Sequence, residues 1–175
     1  MNVTRSILDA LRKRHDEPRN GNSRAWVYAE EVRVSTGFGP PAERKQGEPW
    51  RIPGDQRIDA FALHTWPSKK YRRVAYEVKA SRSDLHRELD QPWKCEAALA
   101  LSNEFYLVAP TDVLIGGITD DFPETWGVIS FYEGRTTTIK QAPWRDTLLP
   151  PYSFMLSLAR NLQAANERQM SMVIA

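Results

Sequence analysis

The chain has 175 residues, a single cysteine and a formal net charge of +2. This length suits one domain with a core of useful size, and a lone Cys95 excludes an internal disulfide framework. A balance this close to neutral excludes a strongly basic nucleic-acid coat but leaves room for a local basic groove; a charged fraction of 26% is ordinary for a folded protein and excludes global disorder.

Val3, Ile7, Leu8 and Leu11 recur at helical spacing and predict a first helix, capped by Asn2 or Thr4 and ending near His15. Its charges lie too close together for a signal-peptide core, and no apolar run approaches a membrane span, so a soluble cytoplasmic protein is expected. Ala25–Val34 reads as a strand. The stretch from Ser35 to about Gln56 is rich in proline and glycine, carries Arg44, Lys45 and Arg51, and reads as a long loop.

Arg57–Leu63 and Arg72–Lys79 are two further predicted strands, joined by a turn at HTWPSKKY. Ser81 or Ser83 caps a helix running to Leu89, Pro92 interrupts it, and Trp93–Leu101 continues helical. Glu104–Ala109 is an apolar strand ended by Pro110. Gly127–Tyr132 and Thr136–Lys140 flank Glu133-Gly134-Arg135 as a hairpin, and Ser153–Arg168 forms a last helix with a frayed end. One mixed α/β sheet follows from this order.

The segment from Arg57 to Asp84 carries the chemistry. In the strand Arg72–Lys79, Val74, Tyr76 and Val78 share one face, and Ala75, Glu77 and Lys79 share the other. A hairpin folded about Ser68 sets Asp59 directly opposite Glu77, on the same face, with Cβ atoms roughly 4.5–5.5 Å apart. Two carboxylates so close repel unless a cation lies between them, and a hard ion such as magnesium prefers oxygen ligands. A shift of one residue would turn the faces over. Without a cation, such an acidic face is simply solvated.

Asp59 followed by Glu77-Val78-Lys79 on consecutive strands, after a helix and a strand, resembles the PD-(D/E)xK nuclease superfamily. Ile58 stands where the proline of that name would be. RIDAFAL, YEVKASRSDLHREL, the Lys94 region and SNEFYLVAP resemble more closely the MmcB-like DNA repair nucleases and related proteins of bacteria and phages, over about Trp26 to Pro110. The resemblance implies a restriction-endonuclease-like core (helix, three-strand meander, helix, strand) over about residues 1–110, with a C-terminal hairpin and helix over about 111–175. It implies Asp59 and Glu77 as ligands of Mg2+ or Mn2+, Lys79 as the catalytic lysine, and hydrolysis of nucleic acid, DNA above all. Glu31 is the expected third acidic ligand, with Glu30 on the opposite face.

Arg82, in the helix start Ser81-Arg82-Ser83-Asp84, reads either as part of a capping segment or as a phosphate contact. Lys94 points into the cleft by resemblance. Lys69 and Lys70 form a basic hairpin tip suited to phosphate. His15, His64 and His86 lack ligand spacing and read as surface residues; Cys95 reads as a small buried side chain and the tryptophans as core. The rival reading is a nucleic-acid-binding or phage interaction protein that keeps the fold and cuts nothing. No membrane partner is expected, and the oligomeric state is open, a homodimer included.

Overall fold

The computed structural model describes residues 2–16, 25–34, 56–115 and 122–174. The loop expected at Ser35–Gln56, with Arg44, Lys45 and Arg51, lies outside the described residues apart from Gln56, as does Trp50.

Six strands form one sheet in the order β1-β2-β3-β4-β5-β6. They are β1 (Trp26–Arg33), β2 (Arg57–His64), β3 (Arg73–Val78), β4 (Glu104–Pro110), β5 (Gly127–Tyr132) and β6 (Arg135–Lys140). The first three form an antiparallel meander, β3, β4 and β5 run parallel, and β6 returns antiparallel. The C-terminal hairpin therefore extends the same sheet. The architecture is α/β with a mixed sheet.

Helix α1 (Val3–Arg14) buries Ile7, Leu8, Ala10 and Leu11. It covers the sheet face made by Trp26, Ala60, Ala62, Val74, Tyr76, Val78, Tyr106, Val108 and Ile129. Asn2 is its cap, accepting from the Arg5 N–H at 3.3 Å. The other face holds Ala29, Val32, Ile58, Phe61, Ala75, Phe105, Leu107 and Val128. Over it lie α2 (Arg82–Leu89), α3 (Glu96–Leu101), α4 (Thr111–Leu114) and α5 (Tyr152–Ile174), through Leu85, Leu101, Leu114 and Phe154 among others. Between helices on both faces, β4 is buried almost throughout, as parallel strands are.

Helix α5 is longer than expected and continues to Ile174 instead of fraying after Arg168. Phe154 meets Phe61 edge-on, ring centroids 5.1 Å apart, and burying such a side chain stabilises by roughly 1.5–3 kcal/mol. The helix also covers the edge of β1: Ser157 donates to the Arg33 carbonyl and Asn161 to the Glu30 carbonyl, each at 2.8 Å. These bonds satisfy an edge that would otherwise invite another strand.

Three sequence expectations are corrected here. His15 and His64 are buried, 7% and 5% exposed, because aromatic rings enclose them: Trp26, Tyr28 and Tyr76 at His15, and Trp26 and Trp66 at His64. His15 meets the Tyr76 hydroxyl at 2.7 Å and packs against Trp26; burial, with the charges of Arg14 and Arg72, holds it neutral, its pKa down at about 3. Trp26 and Trp126 are core residues, whereas Trp66, Trp93 and Trp144 are exposed. The segment after Pro92 opens as a 3-10 turn, Pro92–Cys95, before α3; a proline in the first turn suits that start. Gly134, at φ +76°, and Glu133, at φ +48°, form a tight two-residue turn between β5 and β6.

Gly127 supplies a close approach between β4 and β5. A Cβ there would stand 2.4 Å from the Tyr106 ring and 2.6 Å from the Ala142 nitrogen. Both neighbours are fixed by packing, so Gly127→Ala is expected to destabilise the fold by about 1–3 kcal/mol, the usual cost of overpacking. Urea denaturation of parent and variant measures it; an unchanged midpoint would contradict this packing.

Candidate active site

The register of β2 on β3 decides where the acidic side chains fall. Ala60 pairs Tyr76, Phe61 pairs Ala75, Ala62 pairs Val74 and Leu63 pairs Arg73. This is the register of a hairpin folded about Ser68, and its turn is a 3-10 segment, Pro67–Lys69. Continued by one step, it brings Asp59 to Glu77. At that step the ladder gives way to a side-chain bond, with Asp59 Oδ2 accepting the Val78 N–H at 2.7 Å. The carboxylate thus takes over a backbone donor at the end of the ladder, which fixes its own direction.

Strands β1 and β2 both bend at this level. On β1 the face under α5 is filled by Ala29 and Val32, and on β2 by Ile58 and Phe61. These residues are three apart, where strict alternation would give two or four. Glu31 lies between them at φ +51°, a sparsely populated conformation for a side chain of this kind. Glu30 pairs Ala60 and Val32 pairs Ile58, so Glu31 takes the register position opposite Asp59.

Lys79 follows β3 and reaches back over the site. Its Nζ lies 2.7 Å from Glu77 Oε1 and 2.7 Å from Glu88 Oε2. Glu88 comes from α2, where it is 6% exposed, and also accepts from the Cys95 thiol at 3.1 Å. Helix α2 starts here because Ser81 caps it: the Ser81 hydroxyl accepts the Asp84 N–H at 3.2 Å and donates to the Asp84 carboxylate at 2.8 Å. From that start, Leu85 and Glu88 are three residues apart and share the buried side of the helix. Sequence reasoning missed Glu88; its signal was this spacing from Leu85.

The electrostatics are those of excess buried acid. Burial raises the pKa of Glu77, the charge of Asp59 raises it further, and Lys79 offsets only part, leaving it at about 7. Burial likewise raises Asp59 against the pull of the Val78 N–H and Lys79, with Glu31 and Glu88 adding to the rise. Burial alone would lower the Lys79 amine, but Glu77 and Glu88 hold it above its ordinary value, so it stays charged. Burial, then the charges of Glu77 and Glu88, keeps Cys95 a neutral thiol.

The other expected residues divide by position. Glu31 is near enough for its charge to act on Asp59, but its carboxylate is 68% exposed and faces Arg57 at 3.3 Å. Glu30 points to the α1 side, held by Arg5 and Arg12 at 2.7 Å each. Arg82 donates to the Asp112 and Ile115 carbonyls and ties α2 to α4. Lys94 lies over the Trp93 ring, 5.6 Å from its centroid, and its carbonyl accepts from Gln56. Lys69 and Lys70 occupy the β2–β3 turn, several residues along the strands from Asp59 and Glu77, so at roughly 3.3 Å per residue they lie at the far end of the hairpin. Among the described residues no group of three or more His, Cys, Asp or Glu side chains is arranged to hold a metal ion, and no helix is long and apolar enough to cross a membrane.

No protein-family model matches the chain, and no curated protein does. A solved structure is similar: a protein of unknown function from Silicibacter pomeroyi, at 15% identity and a TM-score of 0.58, over 97% of this chain and 88% of that one. At that identity the likeness bears on the fold alone.

The raised pKa of Glu77 has a measurable sign. The folded chain binds this proton more tightly than the unfolded chain, so the contribution to stability is present below pH 4.5 and is lost as pH rises towards 7. In a chelator, Glu77→Gln is therefore expected to be more stable than the parent at about pH 8, by on the order of 1–3 kcal/mol, and to lose this advantage at about pH 4.5. Denaturant unfolding at both pH values reads the difference; a variant less stable than the parent at both would contradict the buried repulsion.

Proposed function

We propose that this chain is a metal-dependent nuclease that hydrolyses phosphodiester bonds in nucleic acid, with DNA as the substrate, and that it belongs with the PD-(D/E)xK enzymes. The observation that carries the reading is the meeting of Asp59, Glu77 and Lys79 at the carboxyl end of β3, through the Val78 N–H and the Lys79–Glu77 ion pair. The element order of helix, three-strand meander, helix and strand supports a restriction-endonuclease-like core.

The donor set fits Mg2+ or Mn2+. Asp59 and Glu77 are hard oxygen donors whose raised proton affinities mark negative charge without enough compensation. Two protein carboxylates, with water for the remaining positions, is an ordinary arrangement for magnesium. When bound, the ion supplies Lewis-acid polarisation and an acidified water. Asp59, oriented by the Val78 N–H, and Glu77 would hold it, and Glu31 would act on the same centre through its charge.

Lys79 contributes a fixed positive charge. Held by Glu77 and Glu88, it keeps its proton and stands ready for negative charge that develops on the phosphoryl oxygens as the P–O bond breaks. Glu88 is a positioning residue, since its effect on the substrate passes through Lys79. The same double engagement of Lys79 is the observation that favours a second reading, a nucleic-acid-binding protein of the same fold without catalysis. An amine held by two carboxylates also serves as a structural tie.

Incubation with supercoiled plasmid and magnesium or manganese separates the readings. The parent is expected to nick or linearise DNA only with the metal, and Asp59→Asn to abolish the reaction. Lys79→Gln, which keeps a donor against Glu77 and Glu88, is expected to slow the single-turnover rate by about a hundredfold, the scale for one positioned electrostatic group, while DNA binding in calcium is retained. DNA left intact by the parent with either metal, across duplex and single-stranded substrates and RNA, would favour the binding protein.

A further inference from the structure

A cleft of about 510 Å3 opens at the β1 edge, between the α1 side of the sheet and α5. Five of its lining residues are arginines: Arg5 from α1, Arg33 from β1, Arg57 from β2, and Arg160 and Arg168 from α5. None of the described lining residues is a lysine, although the chain has both cations. The acids of the cleft are already engaged. Glu30 is bound by Arg5 and Arg12, and Glu31 faces Arg57. Five arginines against two glutamates leave the described lining with a net positive charge, in a chain whose total is only +2.

We propose that this cleft binds the sugar-phosphate backbone of a nucleic acid and leads it to the acidic site. Planar guanidinium groups match phosphate oxygens two at a time, which ammonium groups do not. Among the described residues Leu8 is the one apolar side chain in the lining, a poor supply of the buried apolar anchors on which protein partners depend. The described lining includes no aromatic platform of the kind that stacks bases. What remains is contact with phosphate, which positions a strand without reading its sequence. Glu31 joins the two places: it lines the cleft, and its register position faces Asp59. The choice of nucleic acid as the polymer rests on the nuclease reading; the anion chemistry of the cleft does not.

The test uses the full chain in a chelator, where nothing is cut, and fluorescence anisotropy of labelled single-stranded and duplex DNA across a range of salt. Arg160 and Arg168 are exposed on α5, so Arg160→Glu and Arg168→Glu are expected to keep the parent's circular dichroism melt. Each is expected to weaken binding severalfold and to lower the slope of log affinity against log salt by about one. The double variant is expected to lose about tenfold or more and about two units of slope. Arg135→Glu, the same charge change at the exposed start of β6, is expected to leave the slope unchanged. Equal losses from Arg135→Glu and Arg160→Glu would overturn the cleft in favour of diffuse attraction. Polyglutamate of matched charge binding as tightly as DNA would overturn it in favour of an acidic protein segment. The nuclease reading fails separately: cleft-dependent binding by a chain that cuts nothing keeps the cleft and discards the enzyme, whereas cutting that ignores Arg160→Glu and Arg168→Glu does the reverse.

Discussion

The bond from the Val78 N–H to the Asp59 carboxylate, at 2.7 Å, is where fold and candidate chemistry meet. A backbone donor at the end of a strand ladder must find a partner. Here it finds a side chain, and the consequences spread from that choice. The carboxylate is held in one direction, next to the carboxylate that β3 presents one residue earlier. Strands β1 and β2 turn at the same level, so the faces of Ala29 and Val32, and of Ile58 and Phe61, are reached at a spacing of three. The chain then leaves β3 through Lys79 into the Ser81-capped helix, which returns Glu88 to the same amine.

That arrangement is costly for the isolated protein. Glu77 and Glu88 share one ammonium, with Asp59 close enough to raise Glu77 to about 7. Buried acids that repel each other weaken a fold unless protons or cations relieve them. The surrounding packing tolerates this. The sheet is covered on both faces, β4 is buried between parallel neighbours, and α5 seals the outer edge of β1. A locally unfavourable acidic cluster, held by a well-packed frame, is the arrangement expected where function is placed above stability.

Much of this was legible in the residues. The alternation of Val74, Tyr76 and Val78 against Ala75 and Glu77 fixed the faces of β3, and a turn centred on Ser68 fixed the register. Both are period-two arguments with one buried side, the case in which sequence constrains a strand most strongly. The buried histidines were not legible. His15 and His64 show no periodic signal, and their burial depends on aromatic rings, above all the Trp26 ring shared by both, that converge only in three dimensions. Glu88 was hidden for a similar reason. A glutamate beside Arg87 in a polar helix reads as solvated until α2 is laid against β3. Lys69 and Lys70 suit phosphate by charge alone, but the hairpin that joins Asp59 to Glu77 also carries those lysines to its opposite end.

Asp59 and Glu77 are proposed to hold a single cation. Isothermal titration calorimetry of the parent with manganese tests this without any assumption about substrate. One saturable site, lost in Asp59→Asn, is expected. Binding should also weaken from about pH 8 to about pH 6, because the carboxylates must give up their protons to take the ion. Manganese binding of equal strength in the parent and Asp59→Asn, or none in the parent at either pH, would contradict it.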